Sequence, residues 1–471
     1  MIKKSIVILA IALNHCWSFS GSAAYQEFYI AFGAINAGTA GALSTTSISS
    51  NNIDCNPAMI PFGKGIHVNY SSQPFFDYIH NYQSLSFTYK KYGFGLSTRR
   101  FYSNNEHDNP ITYRSTVMSY SFSIYLSPVS SVGINIKSFN RDLADHRSPI
   151  KGNNYAFGVG IIWKEILTQF TYKNNHKFGN ILAGSIASSK FIRDPRINDG
   201  ITFGLSIRNL GPHVYYLDPV ISDPLPQTFH FGSSYIPIKT NIFTINIGYE
   251  FERDLVSSYP DMDWDGDGYI GGYDENGHLS INNSDYNKAG QKEAAHTDNW
   301  YKAIFSSWVN DWLVGGDIDK AIPGRVSDHI IGGYDWYADS NFNGQSEPNE
   351  MIKSTGTYGD NNWGIYNEFG QVEVGNSSDR TFIDEWKTTT HNFGLSISLF
   401  GLVGYQVGRK SNIAENRDTR TWGYYLGPHF LRYYYAELKD VYNKYSYTHK
   451  FYTIEMNLTG DILKSIKNVL H

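Results

Sequence analysis

Two loops carry the side chains best suited to chemistry. The first runs Asp263-Trp264-Asp265-Gly266-Asp267-Gly268-Tyr269-Ile270 and on to Asp274. Carboxylates at alternate positions converge on one hard cation, Gly268 permits the sharp turn, and the Tyr269 carbonyl adds a neutral oxygen. Asp274 closes the shell at the last place of the loop, and Ile270 can pack it down. The second loop is Asp339-Ser340-Asn341-Phe342-Asn343-Gly344-Gln345, closed by Glu350. There Asp339, Asn341, Asn343 and Glu350 supply side-chain oxygens and Gln345 stands at the carbonyl position. The expected ion is calcium, held in a structural role. Neither loop is flanked by clear helices, so paired sensor sites are not indicated. The alternative is a pair of metal-free turns, because Asp, Asn and Gly favour turns on their own account.

No catalytic constellation accompanies these loops. The 15 His are scattered, with no H-E-x-x-H, no G-x-S-x-G and no phosphate loop. His329 beside Asp328 reads as a loop residue, and the serines of 119–123 read as one face of a strand. The chain is therefore expected not to be an enzyme.

The elements that must carry the loops are strands. Met118, Tyr120, Phe122, Ile124 and Leu126 alternate with Ser119, Ser121, Ser123 and Tyr125. The same alternation of period two runs through 155–163, 243–252, 393–399 and 452–458. A soluble sandwich would alternate likewise. Membrane strands are favoured by runs of about nine residues or more and by Tyr, Phe and Trp near their ends. Tight joints are expected at Lys91, Ser127–Ser130, Lys164-Glu165, Pro237–Thr240 and Gly401. Longer polar stretches at 102–112, 140–154 and 209–227 lie between them. Short turns at one end and long loops at the other are the outer-membrane barrel pattern. The expected fold is thus all-β, a transmembrane barrel of roughly fourteen antiparallel strands.

Composition agrees. Of 471 residues, 18% are charged and 16% aromatic, where about 25% charge is usual for soluble chains. The net charge of −5 is mild and no basic face stands out, which speaks against nucleic acid as a partner. The aromatic load excludes disorder. No run past the amino terminus approaches the ~20 apolar residues of a spanning helix.

The expected organisation has six parts. Residues 1–24 read as a signal peptide: Lys3-Lys4, an apolar run from Ser5 to Leu13, then Gly21-Ser22-Ala23-Ala24 for cleavage. Residues 25–62, rich in Gly, Ala and Ser, form a plug segment. Residues 63–252 supply the first strands, 253–391 an extracellular insertion bearing the calcium loops, 392–459 the last strands, and 460–471 a tail whose Ile462, Leu463, Ile466, Val469 and Leu470 share a helical face. Of the 2 Cys, Cys16 falls in the leader, so Cys55 alone would remain and no intrachain disulfide is expected.

Three stretches resemble the PorV family of the type IX secretion system, within the wider group of FadL-like outer-membrane barrels. One is Asn36-Ala37-Gly38-Thr39-Ala40-Gly41-Ala42 followed by Asn56-Pro57-Ala58; Met59 follows where a Gly is usual. The second is Gly204-Leu205-Ser206-Ile207-Arg208-Asn209-Leu210-Gly211, then Pro224-Leu225-Pro226 and Phe231-Gly232-Ser233-Ser234-Tyr235. The third is the strand layout from 65 to 252. The insertion 253–391 lies outside the resemblance. The resemblance implies a fourteen-stranded barrel with an amino-terminal plug, embedded in the lipid bilayer. It also implies a partner role, receiving cargo sorting domains from the secretion translocon and passing them to the surface. A FadL-like channel for a hydrophobic ligand is the first alternative, and an adhesive or structural surface protein the second.

Overall fold

The computed structural model describes residues 33–164, 200–259, 296–308, 336–337, 351–353 and 386–459, less short gaps at 48, 50, 64, 76–77, 104–110, 146–147, 216–221, 241, 257, 387–388, 413–416 and 443–444. The expected leader, the tail and both calcium loops lie outside the described residues.

Fourteen antiparallel strands close into a barrel. They are β1 (Ile66–Phe75), β2 (Tyr78–Tyr89), β3 (Tyr92–Ser103), β4 (Ile111–Ser127), β5 (Ser130–Asp145), β6 (Ser148–Trp163) and β7 (Ile201–Leu210). Then come β8 (Thr228–Lys239), β9 (Phe243–Asp254), β10 (Thr390–Leu399), β11 (Val403–Asn412), β12 (Arg417–Leu426), β13 (Leu431–Tyr442) and β14 (Tyr445–Leu458). Each pairs with the next in sequence, and β14 returns to β1, with Ile66 opposite Leu458 and Ser72 opposite Tyr452. Closure leaves no sheet edge whose backbone polar groups would face lipid unpaired.

The alternation found in the sequence has an inverted sense. His67, Asn69, Ser84, Ser86, Ser97, Ser119, Ser121 and Ser123 are buried, pointing inward. Leu85, Phe87, Leu96, Tyr120, Phe122, Ile134 and Ile136 are exposed on the outside. A soluble sandwich buries its apolar face, so this inversion decides for a wall against lipid. No described helix is long and apolar enough to cross a membrane; the crossing is made by strands.

The tight joints cluster at one end, here called the near end, where the barrel strands also begin and finish. Lys90 and Lys91 link β2 to β3, and each ammonium lies just over 5 Å from a tyrosine ring, of Tyr89 and Tyr92. Phe400 and Gly401 link β10 to β11 with φ of 52° and 64°, the two left-handed residues that a twisted hairpin needs.

Three expectations are corrected. The stretch 140–154 is mostly strand, because β5 and β6 stay paired from Ser130–Trp163 out to Asp145–Ser148. The turn expected at Pro237–Thr240 moves to 240–242; Pro237, which has no N–H to donate, sits in β8 where its register with β9 shifts. The joint at Lys164-Glu165 does not lead to the next wall strand, because β6 pairs with β7 and both its edges are then taken. Residues 165–199 lie outside the described residues.

At the far end, β9 stops at Asp254 and β10 starts at Thr390. Between them, a helix at Trp300–Ser306 leans on the rim: Trp308 meets Phe229 edge-on at 5.6 Å, and the Arg253 guanidinium donates to the Ser307 carbonyl at 2.6 Å. Ser258–Tyr259 pairs with His296–Thr297, and Trp336–Tyr337 with Met351–Lys353.

Candidate functional site

The inward faces of the strands surround the segment 33–63, which holds helix α1 (Gly33–Ala37), helix α2 (Asn52–Cys55) and a tight 3-10 stretch (Pro57–Phe62). Most of its residues are buried. It reaches the wall in four places.

The first is Asn56-Pro57-Ala58. Asn56 caps the 3-10 stretch, accepting from the Ala58 amide at 3.1 Å, while its own amide donates to the carbonyls of Thr45 at 3.0 Å and Ile161 at 3.3 Å. Pro57 stands at the first helical position, where a missing N–H costs nothing. Ser131 donates to the Ala58 carbonyl. Wall glycines let the backbone come this close: a Cβ on Gly133 would sit 2.6 Å from the Pro57 carbonyl carbon.

The second is Asp54. Its carboxylate accepts from Ser97 at 2.6 Å and Ser119 at 2.7 Å, and the Lys137 ammonium lies 3.5 Å away. Burial pushes its pKa up, but Lys137, Arg99 and the two serines outweigh this and hold it below the usual carboxylate value. Lys137 also donates to the Asn209 side chain at 2.7 Å.

The third is Glu250. Ser44 donates to both its oxygens at 2.7 and 2.8 Å, Thr45 donates its amide at 3.0 Å and its hydroxyl at 2.9 Å, and the His230 ring lies 2.9 Å away. Arg208 stands 3.7 Å from the same carboxylate and donates to the Cys55 carbonyl at 2.8 Å. Cys55 is buried, and burial pushes its thiol up to about 11.

The fourth is apolar. Ala34 and Ala37 of α1 pack with Tyr425, Tyr434, Ala436 and Phe451 of β12–β14. Thr453 accepts from the Ala34 amide at 2.8 Å.

The motif residues noted in the sequence make contacts within this architecture. Asn209 has φ of 60°, so β7 turns sharply there, and its amide donates to the Pro226 carbonyl at 3.0 Å. Leu210 still pairs with Phe157 across a register shift. Gly211 leaves space for the Tyr155 carbonyl and Leu225. Between Pro224 and Pro226, Leu225 is fully buried among Val117, Phe139, Ala156 and Val214.

The candidate metal ligands Asp263, Asp265, Asp267, Tyr269, Asp274, Asp339, Asn341, Asn343, Gln345 and Glu350 all lie outside the described residues. Among the described residues no three His, Cys, Asp or Glu side chains form a metal-ready group. Sequence reading did not single out Asp54, Lys137, Arg208, His230 and Glu250. Their signal was present for the wall residues: a charge in the inward phase of a strand, such as Glu250 between Tyr249 and Phe251.

A separate feature lies on the outer wall toward the far end. Tyr249, Trp386, His391, Phe393 and Ser411 line a broad depression open to the outside. Trp386 stacks near His391 at 4.5 Å, and the Tyr249 hydroxyl meets the same ring at 2.9 Å.

The described geometry defines a closed fourteen-stranded transmembrane barrel with a segment folded inside it. No protein-family model and no curated protein matches the chain. Among solved structures it is similar to the CymD monoaromatic hydrocarbon channel, with 9% identity over 91% of this chain and 97% of that one and a TM-score of 0.43. It is also similar to the Ralstonia pickettii toluene transporter TbuX, with 9% identity over 91% and 98% and a TM-score of 0.37. A Pseudomonas aeruginosa FadL homologue matches with 8% identity over 90% and 98% and a TM-score of 0.38. At such low identity and TM-score the likeness carries no argument about activity.

Proposed function

We propose that the chain is a plugged outer-membrane barrel that admits hydrophobic small molecules, with segment 33–63 as its plug and the near end facing the periplasm. The observation that carries this reading is the open aromatic depression on the lipid-facing wall, lined by Tyr249, Trp386, His391 and Phe393. An apolar solute that partitions into the membrane meets rings there, with one hydroxyl and one imidazole to orient it. The motifs shared with the secretion family do not weigh against the reading. Asn56-Pro57-Ala58 and Asn209-Leu210-Gly211 cap a helix and turn a strand, so they serve the fold whichever cargo is carried.

The test is uptake of labelled toluene and labelled oleate by cells carrying the full-length protein in an outer membrane otherwise poor in such channels. Uptake above barrel-free cells, lowered by Trp386→Ala or Phe393→Ala, supports the reading. No uptake of either, with the native protein co-purifying with a very large barrel and secreted proteins sharing a carboxy-terminal domain, overturns it. That second reading, a secretion partner, draws on the helix of the insertion docked at the far rim.

Calcium belongs to the same proposal as a brace of the insertion. Paired backbone at 258–259 with 296–297, and at 336–337 with 351–353, brings together the ends of the two chain stretches that hold the candidate loops.

A further inference from the structure

The outward wall of β2–β4 carries, toward the far end, a groove of about 540 Å³ lined by Asn81, Gln83, Arg100, Tyr102, Arg114 and Thr116. We propose that it binds the phosphate of a phosphorylated lipid headgroup in the far leaflet of the membrane. The inference depends on the barrel's lipid-facing wall and not on what passes through the lumen.

Height is the first argument. Arg100 is eight residues along β3 from Tyr92, whose ring lies beside Lys91 at the near end. At ~3.3 Å per residue and ~40° tilt this puts Arg100 about 20 Å above that ring, near the far margin of a ~25 Å apolar band. Phe94, Leu96, Tyr120 and Phe122 fill the wall below it. From there the length of the arginine side chain covers the remaining few ångströms to the headgroup phosphates.

Charge is the second argument. Arg100 faces Asn81 across β2 and Thr116 across β4, while Tyr102 faces Arg114. The two arginines are diagonal neighbours on one face, within mutual reach, and like charges so placed repel. Among the described residues no carboxylate lines the groove. The register does put Asp142 opposite Arg114, but on β5, two strands from Arg100.

The same wall contains the contrasting case. Arg409 and Arg420 are direct cross-strand partners, and Asp418 bridges them, at 2.7 Å to Arg409 and 3.2 Å to Arg420. There the chain supplies its own anion. Beside Arg100 no described residue supplies one, and guanidinium matches phosphate in two-pronged hydrogen bonds. Asn81, Gln83, Tyr102 and Thr116 surround it with neutral polar groups.

The experiment uses the full-length barrel in nanodiscs of phosphatidylcholine containing bisphosphorylated lipid A, with dephosphorylated lipid A as the comparison. Native mass spectrometry counts the lipid retained on transfer to detergent. The wild type retains the phosphorylated form selectively. Arg100→Gln lowers retention by about ten-fold or more, as loss of a charge-assisted contact implies. Arg114→Gln lowers it less, because Arg114 has a further partner within the protein. Arg420→Gln, outside the groove, leaves retention unchanged. Heat-shifted mobility on gels checks that each variant is a folded barrel. Equal retention of both lipids, or of phosphorylated lipid by wild type and Arg100→Gln, overturns the proposal. So does equal protection by inorganic phosphate in detergent, which would make the site one for free phosphate.

Discussion

On the side of β3–β9 the inner segment meets glycines, hydroxyls and charges; on the side of β12–β14 it meets rings and the hydroxyls of Thr421 and Thr453. Against β5, Gly133 lets the Pro57 backbone touch the wall, and Asp54 and Glu250 then fix position through Ser97, Ser119, Ser44 and Thr45. Against β12–β14, the small residues are in the segment, Ala34 and Ala37, and the bulk is in the wall, Tyr425, Tyr434 and Phe451. The two solutions place the small partner on opposite sides of the contact. Directed bonds define where the segment sits, since a buried charge without its partner is costly. Ring contacts fill volume and tolerate small shifts. The charged side therefore sets the position of the segment, and the ring side sets how tightly it fills the barrel.

Cys55 is a built-in reporter for this comparison. It is buried, and its thiol is pushed up to about 11, so a water-soluble maleimide reacts slowly while the segment is seated. Reaction needs the thiolate, so the labelling rate should climb with pH towards about 11 in the seated state. Release should move that rise down towards about 8.5, the value of a free thiol. A profile already centred near the free value in the wild type would break the seated picture.

The largest effect is expected from Glu250→Ala. It strands Arg208 and His230 in the interior and should cost about 3–5 kcal/mol, seen as labelling of Cys55 faster by about two orders of magnitude or more. If labelling is unchanged, the charged side does not hold the segment. Next is Phe451→Ala on the ring side, expected to cost about 3 kcal/mol in urea unfolding of the barrel in vesicles. Its effect on Cys55 labelling should be smaller than that of Glu250→Ala; the reverse order would invert the comparison. Asn56→Ala removes the cap of the 3-10 stretch and should cost about 1–2 kcal/mol, with a modest rise in labelling. Smallest for the lumen is calcium. Titration calorimetry of the full-length protein should register binding at millimolar levels, with Cys55 labelling unaltered. No heat at those levels ends the calcium proposal, and altered labelling would tie the insertion to the inner segment.

Much of the wall was legible because its information is local. Alternation over 118–126 or 243–252 repeats every two residues, and tight joints at Lys91 and Gly401 follow from chain reversal within a few positions. The turn at Pro237 was misplaced because register shifts depend on the neighbouring strand. The stretch 140–154 was misread because polar residues that extend a hairpin beyond the membrane look like loop. Sequence also marked Asn56-Pro57-Ala58 and Asn209-Leu210-Gly211 as special without saying why.

The amino-acid pattern carries the strand period and the class of barrel, since each strand must present an apolar face to lipid whatever lies beside it; the exact count of fourteen comes from the closed fold. Which side chains meet inside follows from the closed fold. Thr453 receives the Ala34 amide and Glu250 receives Ser44 because closure of β14 onto β1 brings distant parts of the chain around one segment. Such partners are set by the circumference of a closed wall, a property that no local stretch of residues encodes.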